Sequence, residues 1–442
     1  MWNLPKAGIV WLCLLTGGVA AQDRPLRFSL NESGTHYVEC AALLQVWGRY
    51  NQSNPGTTLS GEPLPYSIDA GIRRIRGVVK AQITDRTYAY VQFGQNNLTA
   101  LASRQRGMFI HDALIEWALF EGQRGPTLFV GGGLGGWGGF GRLAAFSSWS
   151  NTTLDSPTFN LPTVNTVDQI MRRYEIYGRG HWRRFNYRAA VSDPFPIETA
   201  GSLFDPEIAP TARFAPRRGH KHYATYWTYA LADRETSRSS YFAGTYLGKK
   251  RVFNLGAGVA RQQDAVWWQG AKGDTVRDRL LTWAVDIFYD APLDSARGTA
   301  LTTYAGFYVY ELGERYLRQV GVMNPAPERA AQVDGREDVL NGPGNAFPVI
   351  GTGRIWYGSL AWLAPRDLLG SHGVLQPYVD LTWAEYDALQ DPMVAWNAGV
   401  NWLLRGHYMK FTLNYQHRPI YAADGTLQDH RGTVVAQTQI RL

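Results

Sequence analysis

From residue 38 to the C-terminus the chain alternates apolar and polar positions in segments of about ten residues, divided by Gly, Asp, Asn, Pro or Ser. In 72–83, Ile75, Gly77, Val79, Ala81 and Ile83 oppose Arg74, Arg76, Val78, Lys80 and Gln82. In 86–97, Thr87, Ala89, Val91 and Phe93 oppose Tyr88, Tyr90, Gln92, Gly94 and Asn96. The same holds in 280–290, where Leu281, Trp283, Val285 and Ile287 oppose Thr282, Ala284, Asp286 and Phe288. Late in the chain, Met409, Phe411, Leu413 and Tyr415 oppose Lys410, Thr412, Asn414 and Gln416. A period of two is the period of a strand, because successive side chains leave a pleated backbone on opposite faces. No segment sustains a helical period, so the fold class is all-β.

Two architectures put such strands to use. A soluble barrel or sandwich turns the apolar faces inward, whereas a transmembrane antiparallel barrel turns them into lipid around a polar lumen. Three features favour the second. The polar faces are rich in Gly, Asn, Gln, Tyr and Arg, and the apolar faces carry aromatics near segment ends. The segments also match the roughly 9–11 residues that a tilted strand needs to cross a bilayer, longer than the ~5–6 usual in soluble sheets.

Connection lengths fit as well. Thr84-Asp85, 122–125, 181–184, Lys249-Lys250, 291–298, 366–373 and Arg405-Gly406 read as short turns. The stretches 51–69, 134–169, 194–221, 263–279, 312–352 and 419–432 read as long loops, and the two kinds mostly alternate. Candidate strands number seventeen, but a barrel with both chain ends on one side needs an even number. Parity slips between 193 and 250, where two short connections follow one another. Sixteen strands is the expected number, with the Gly-rich 126–133 as the weakest candidate; eighteen is the alternative.

Composition narrows this further. Charged residues are 18% of the chain and aromatics 13%, with 16 Trp, 24 Tyr and 18 Phe, which excludes disorder. Only one long apolar run occurs, at the N-terminus, so a bundle of membrane helices is excluded. The hydrophobic 45% is expected to form no core and to serve as the outward face of a tilted wall. Residues 1–21 read as a cleaved secretory signal: Lys6, an apolar run from Ala7 to Leu15, then small residues up to Ala21. Residues 22–442 then form a single barrel domain. Cleavage removes Lys6 and Cys13, leaving a formal charge of +6 from +7 and Cys40 as the lone cysteine, so no internal disulfide is expected. The basic balance does not point to nucleic acid, because Lys and Arg are spread over every segment rather than clustered.

Several strings resemble a family of outer-membrane porins common in Bacteroidetes-type bacteria, themselves similar to the phosphate-selective porins. They are Gly131-Gly132-Gly133-Leu134 through Gly141-Arg142-Leu143, and Thr153-Leu154-Asp155-Ser156-Pro157. Asp168-Gln169 leading into IMRRYEIYGRG (170–180), NYRAAVSDPF (186–195), GTYLGKKRVFNLGAG (244–258), GTGRIWYGSLAWLAP (351–365), LQPYVDL (375–381) and GHYMKFTLNYQHR (406–418) follow. Their order, spanning nearly the whole mature chain, carries the resemblance. It implies a channel of a Gram-negative outer membrane, a homotrimer, with a constriction loop folded into the pore. The ending Gln439-Ile440-Arg441-Leu442 departs from the terminal Phe of many such barrels, although the alternation survives.

The candidate chemistry lies on the polar faces. Arg74, Arg76 and Lys80 share one strand face, Arg49 lies with Gln45 and Trp47 on the preceding strand, Arg173, Arg179 and Arg188 project from 170–193, and Lys410 from a late strand. Cations facing a lumen raise the local anion concentration and lower the barrier to anion entry; arginine adds a fork for phosphate or carboxylate. The plainer alternative is that these cations pair with Glu116, Glu175, Asp286 or Asp380 and line a general pore. Segment 131–169 is the expected constriction loop, with Gly133 at its flexible start and Trp137, Phe140, Arg142, Phe146 and Trp149 along it; an external cap is the alternative. The G-x-G-x-x-G at 131–136 has no helix after it and is not a dinucleotide site. Asp334, Glu337, Asp338 and Asn341 do not have EF-hand spacing. His220 and His222 lack the further ligands zinc needs; the histidines read as surface or interface groups. The expectation is passive diffusion of small hydrophilic solutes with an anion preference, phosphate among them, in contact with outer-membrane lipid, without cofactor, metal or catalytic residue. A barrel enzyme such as a lipid hydrolase, or an adhesin or receptor using the long loops, is the alternative.

Overall fold

A computed structural model describes residues 26–100, 107–121, 126–160, 172–194, 208–215, 219–235, 239–326 and 339–442. The segment read as a signal lies outside them, as do Asp334, Glu337 and Asp338. Sixteen strands form the wall. They are β1 (Tyr37–Gln52), β2 (Tyr66–Gln82), β3 (Thr87–Thr99), β4 (Phe109–Glu121), β5 (Thr127–Gly135), β6 (Arg173–Trp182), β7 (Phe185–Ser192) and β8 (His222–Ala230). The rest are β9 (Val252–Gln269), β10 (Thr275–Asp294), β11 (Thr299–Glu311), β12 (Gly353–Leu363), β13 (Val374–Tyr386), β14 (Met393–Arg405), β15 (Met409–Tyr421) and β16 (Leu427–Arg441). Each pairs antiparallel with the next, and β16 returns to β1 from Leu43↔Arg441 to Asn51↔Thr433. The sheet is therefore closed, which leaves no unpaired edge among the wall strands and is what a β-structure needs in order to sit in lipid. Two short strands join the sheet beside the wall: Leu26–Ser29 on the start of β1 and Arg213–Phe214 on β9.

The alternation read from the sequence is the alternation of burial. On β10, Leu280, Thr282, Ala284, Asp286 and Phe288 are buried, while Val285 and Ile287 are exposed. Ile68, Ile176, Leu360, Leu381 and Leu413 continue the outward apolar band, and Trp117, Trp182, Phe185 and Trp362 add outward aromatic rings. Such a face costs free energy in water and little in hydrocarbon.

Leu26–Ser29, Leu442 and the turns 83–86, 183–184, 295–298 and 406–408 lie at one end of the barrel, called the near end here; the loops that begin at 53, 136 and 312 leave the far end. Four details differ from the sequence expectation. The Gly-rich 126–133 is a wall strand, β5, not the one to discard. Gly133, expected at the start of the constriction loop, sits within β5 at φ +132°, where an added Cβ would lie 2.1 Å from Ala113 O. The slip in parity falls later: Lys249-Lys250 is not a turn between strands but part of one long connection between Ala230 and Val252 at the near end. The loops expected over 263–279 and 419–432 are mostly strand, with β9–β10 and β15–β16 running on as hairpins beyond the expected wall.

The lumen also differs from a simple polar pore. Along β10–β12 its inner wall carries a packed aromatic cluster. Phe288, Tyr304, Tyr308, Tyr310, Ile355 and Tyr357 form one buried cluster with Phe140 and Phe159 of the loop after β5. The hydrophobic residues thus do form a core, inside the barrel, because loops entering the lumen bring apolar side chains that need partners away from water.

Candidate functional site

The chain from 136 to 160 leaves β5 at the far end and crosses the lumen. Its backbone is pinned to both sides. Glu175 on β6 accepts from Trp137 N (2.8 Å) and Gly138 N (3.0 Å), and Asp286 on β10 accepts from Arg142 N (3.0 Å). Opposite, Lys410 donates to Asn151 O (2.8 Å), Asn401 to Thr152 O (2.6 Å), and Gln45 to Ser148 O (3.3 Å). Aromatic side chains fix it further. Trp137 stacks on Tyr177 at 5.0 Å, and Phe140 meets Tyr308 and Tyr310 edge-on. Phe146 is buried beside the near-end connection, and Trp149 lies under the Arg441 guanidinium. The crossing separates a cavity of about 650 Å³ towards the near end from one of about 80 Å³ towards the far end.

A second element enters from the near end. The connection between Ala230 and Val252 rises into the lumen and meets the crossing loop. Phe242 N donates to Ala145 O (2.7 Å) and Ser147 N to Phe242 O (2.8 Å), a short parallel bridge between the two. Arg142 forks onto Glu235 at 2.6 and 2.8 Å and donates to Ala243 O (2.7 Å). Its guanidinium lies 3.4 Å from the Phe288 ring centre. Burial pushes the Glu235 carboxyl up, but the Arg142 charge and hydrogen bond outweigh it and hold the group below its usual range. The root of this connection is tied to the wall where Asp290 accepts from Thr245 Oγ1 (2.7 Å) and Tyr246 N (3.1 Å).

The row of cations expected on the polar faces is turned inward, buried except for the half-buried Lys80, with varied partners. Arg49 forks onto Asp69 (2.5 and 2.9 Å), Arg179 forks onto Glu116 (2.6 Å twice), and Lys80 meets Glu39 (3.0 Å). Arg74 reaches Asp155 of the crossing loop (2.6 Å), and Arg76 donates to Gln95 O (3.2 Å). Arg173 is fully buried in the field of Glu175. Arg188 donates to Ser240 O (2.8 Å), and Lys410 to the Asn151 carbonyl described above. Of the four acids considered as partners, Glu116 forms an ion pair with this row, while Asp380 accepts from Asn397 (2.9 Å).

Five further cations belong to the lumen. Arg73 escapes the alternation because β2 bulges there: Gln45 pairs Arg74 while Val46 pairs Ile72, so Arg73 is the extra residue. It thereby turns inward and binds Asp155 (2.8 Å) and Asn97 (2.8 Å). No period-two reading finds a bulge. Arg172, just outside β6, binds Asp112 (3.1 Å). Arg418 and Arg441 stand on the inward parity of β15 and β16, so alternation could have found them. Arg142, placed in the loop by sequence, takes the role of clamp. The histidine reading needs correction: His111 and His222 are fully buried rather than at the surface. Asn341, considered for calcium, is engaged with backbone, donating to Pro419 O (2.7 Å) and accepting from Tyr421 N (2.8 Å).

No family model matches the sequence, and no curated protein matches it. Solved structures do resemble the fold. OmpF of Salmonella typhi, in complex with daunomycin, superposes at a TM-score of 0.51 and 10% identity, over 94% of this chain and 100% of that one. The outer-membrane channel DcaP of Acinetobacter baumannii gives 0.49 at 8% identity, over 94% and 99%. An anion-selective porin from Comamonas acidovorans gives 0.48 at 10%, over 92% and 99%. At these identities the likeness is one of fold: the chain folds as outer-membrane porins fold.

Proposed function

We propose that this protein is an outer-membrane channel for small hydrophilic solutes, narrowed at mid-lumen and favouring anions. The observation that carries the proposal is the closed sixteen-stranded wall with an apolar outer band and buried cations along its inner face. A closed barrel satisfies every backbone group without water, so it suits lipid. Inward guanidinium groups lower the cost of bringing an anion into a narrow, weakly solvated passage. Many of them are neutralised by Asp or Glu, so the preference is one of degree, and phosphate is one candidate among several anions. The barrel enzyme and the loop-based adhesin are the rival readings. Export with removal of 1–21 belongs to the same reading, as does a homotrimer joined through the outward apolar face. Liposome swelling tests the class: reconstituted protein should let small sugars pass, with rates falling as solute size rises. Liposomes that admit no sugar would favour the enzyme or adhesin.

A further inference from the structure

Arg188 of β7 and Arg441 of β16 differ from the other cations of the near-end cavity. Arg179, Arg172 and Lys80 each hold a carboxylate there. Among the described residues, no carboxylate forms an ion pair with Arg188 or Arg441. Arg188 spends a single hydrogen bond, on Ser240 O, and otherwise lies between rings, 4.1 Å from Phe242 and 5.0 Å from Trp137. Arg441 lies 4.6 Å from the Trp149 ring and 5.3 Å from that of Tyr408.

The Arg188 contacts form part of a longer stack. Arg179 sits 4.2 Å from Phe129 and 5.0 Å from Trp137, and Arg188 continues from Trp137 to Phe242. Guanidinium planes and aromatic rings thus alternate along one wall of a cavity of about 650 Å³. That volume lies in the range of sites for small organic molecules. An inorganic anion needs donors converging from several sides, whereas here rings separate the donors. A planar ring bearing one carboxylate fits both halves of the surface: the carboxylate takes a guanidinium fork, and the ring lies against indole, phenyl or guanidinium faces.

We propose that the near-end cavity is a binding site for aromatic carboxylates, with Arg188 and Arg441 as the carboxylate-binding groups and Trp137, Trp149 and Phe242 as the ring-binding surface. The proposal rests on the anion-favouring channel and names its substrate class. The connection after β8 then contributes to specificity, because Phe242 belongs to it.

The test uses full-length protein folded in detergent, with benzoate as probe and acetate and inorganic phosphate as comparators. Quenching of tryptophan fluorescence should saturate with benzoate, at an affinity about tenfold or more above that for acetate. Arg188→Gln and Arg441→Gln should each weaken benzoate about tenfold, and Trp149→Ala should reduce the preference over acetate. Arg441→Lys keeps the charge and loses the fork, so it should fall between wild type and R441Q. Heat-dependent migration of each variant on gels confirms that the barrel has formed. Equal affinity for benzoate and acetate, or tighter binding of phosphate, overturns the proposal. In planar bilayers, chloride preference without benzoate block would sink the site and leave the channel standing. Benzoate binding with a cation-selective current would sink the channel reading and leave the site.

Discussion

Asp155 ties the crossing loop to two of the β2 cations. One carboxylate serves both Arg73 and Arg74, whose side chains are 1% and 2% exposed. Removing one partner of a buried ion pair costs about 3–5 kcal/mol, because the remaining charge is left without compensation. Asp155→Asn should therefore lower the temperature at which barrel structure is lost, followed by circular dichroism or by gel migration of unboiled protein. It should also strengthen anion preference, since two cations lose their shared counter-charge. An unchanged melting temperature would show that the pair is solvated. Half of this arrangement was legible. Alternation placed Arg74 inward, and nothing in the spacing revealed the bulge that turns Arg73 to join it. Asp155 stood in a quoted string without a role, because its partners lie some eighty residues earlier.

Two loops from opposite ends meet inside the wall, and each should act on the passage. Deleting 144–160 should raise single-channel conductance; so should shortening the connection between Ala230 and Val252 to a tight turn. If the first deletion leaves conductance unchanged, the loop does not narrow the path. The clamp between the loops has a definite pH sign. Glu235 is held below its ordinary carboxylate range, so its contribution is complete above the unfolded value of about 4.3 and is lost as pH falls through the lower folded value. Conductance should thus be steady through mildly acidic pH and change only in stronger acid, whereas Glu235→Gln should show the acid behaviour at neutral pH. The crossing loop was legible because its length and glycines break the strand pattern. The near-end loop was not recognised as such. Its trace was the slip in parity, with Lys249-Lys250 taken for a short turn between strands.

At the scale of the molecule the wall divides labour between its faces and around its circumference. Outward Val285 and Ile287 lie on β10, between buried Ala284, Asp286 and Phe288. Val285→Arg should disfavour insertion into bilayers by about 2–4 kcal/mol if it lies near the mid-plane, measured by folding into vesicles over a urea series; a neutral effect would place that face against protein or water. The fold class and strand number were legible because lipid and lumen impose opposite polarity on alternate residues. The uneven lumen was not. An inward Tyr or Phe has the same period whether it lines water or packs under a loop, so the aromatic core along β10–β12 and the open cavity near β5–β8 became visible only with the loops in place.

If this wall encloses a solute path, its inward cations should favour anions. The reversal potential of protein reconstituted in a planar bilayer under asymmetric KCl tests it most directly. The potential should be displaced towards the chloride equilibrium value, with the displacement reduced when Arg188 and Lys410 are replaced by Gln. A potential displaced towards the potassium value would contradict it.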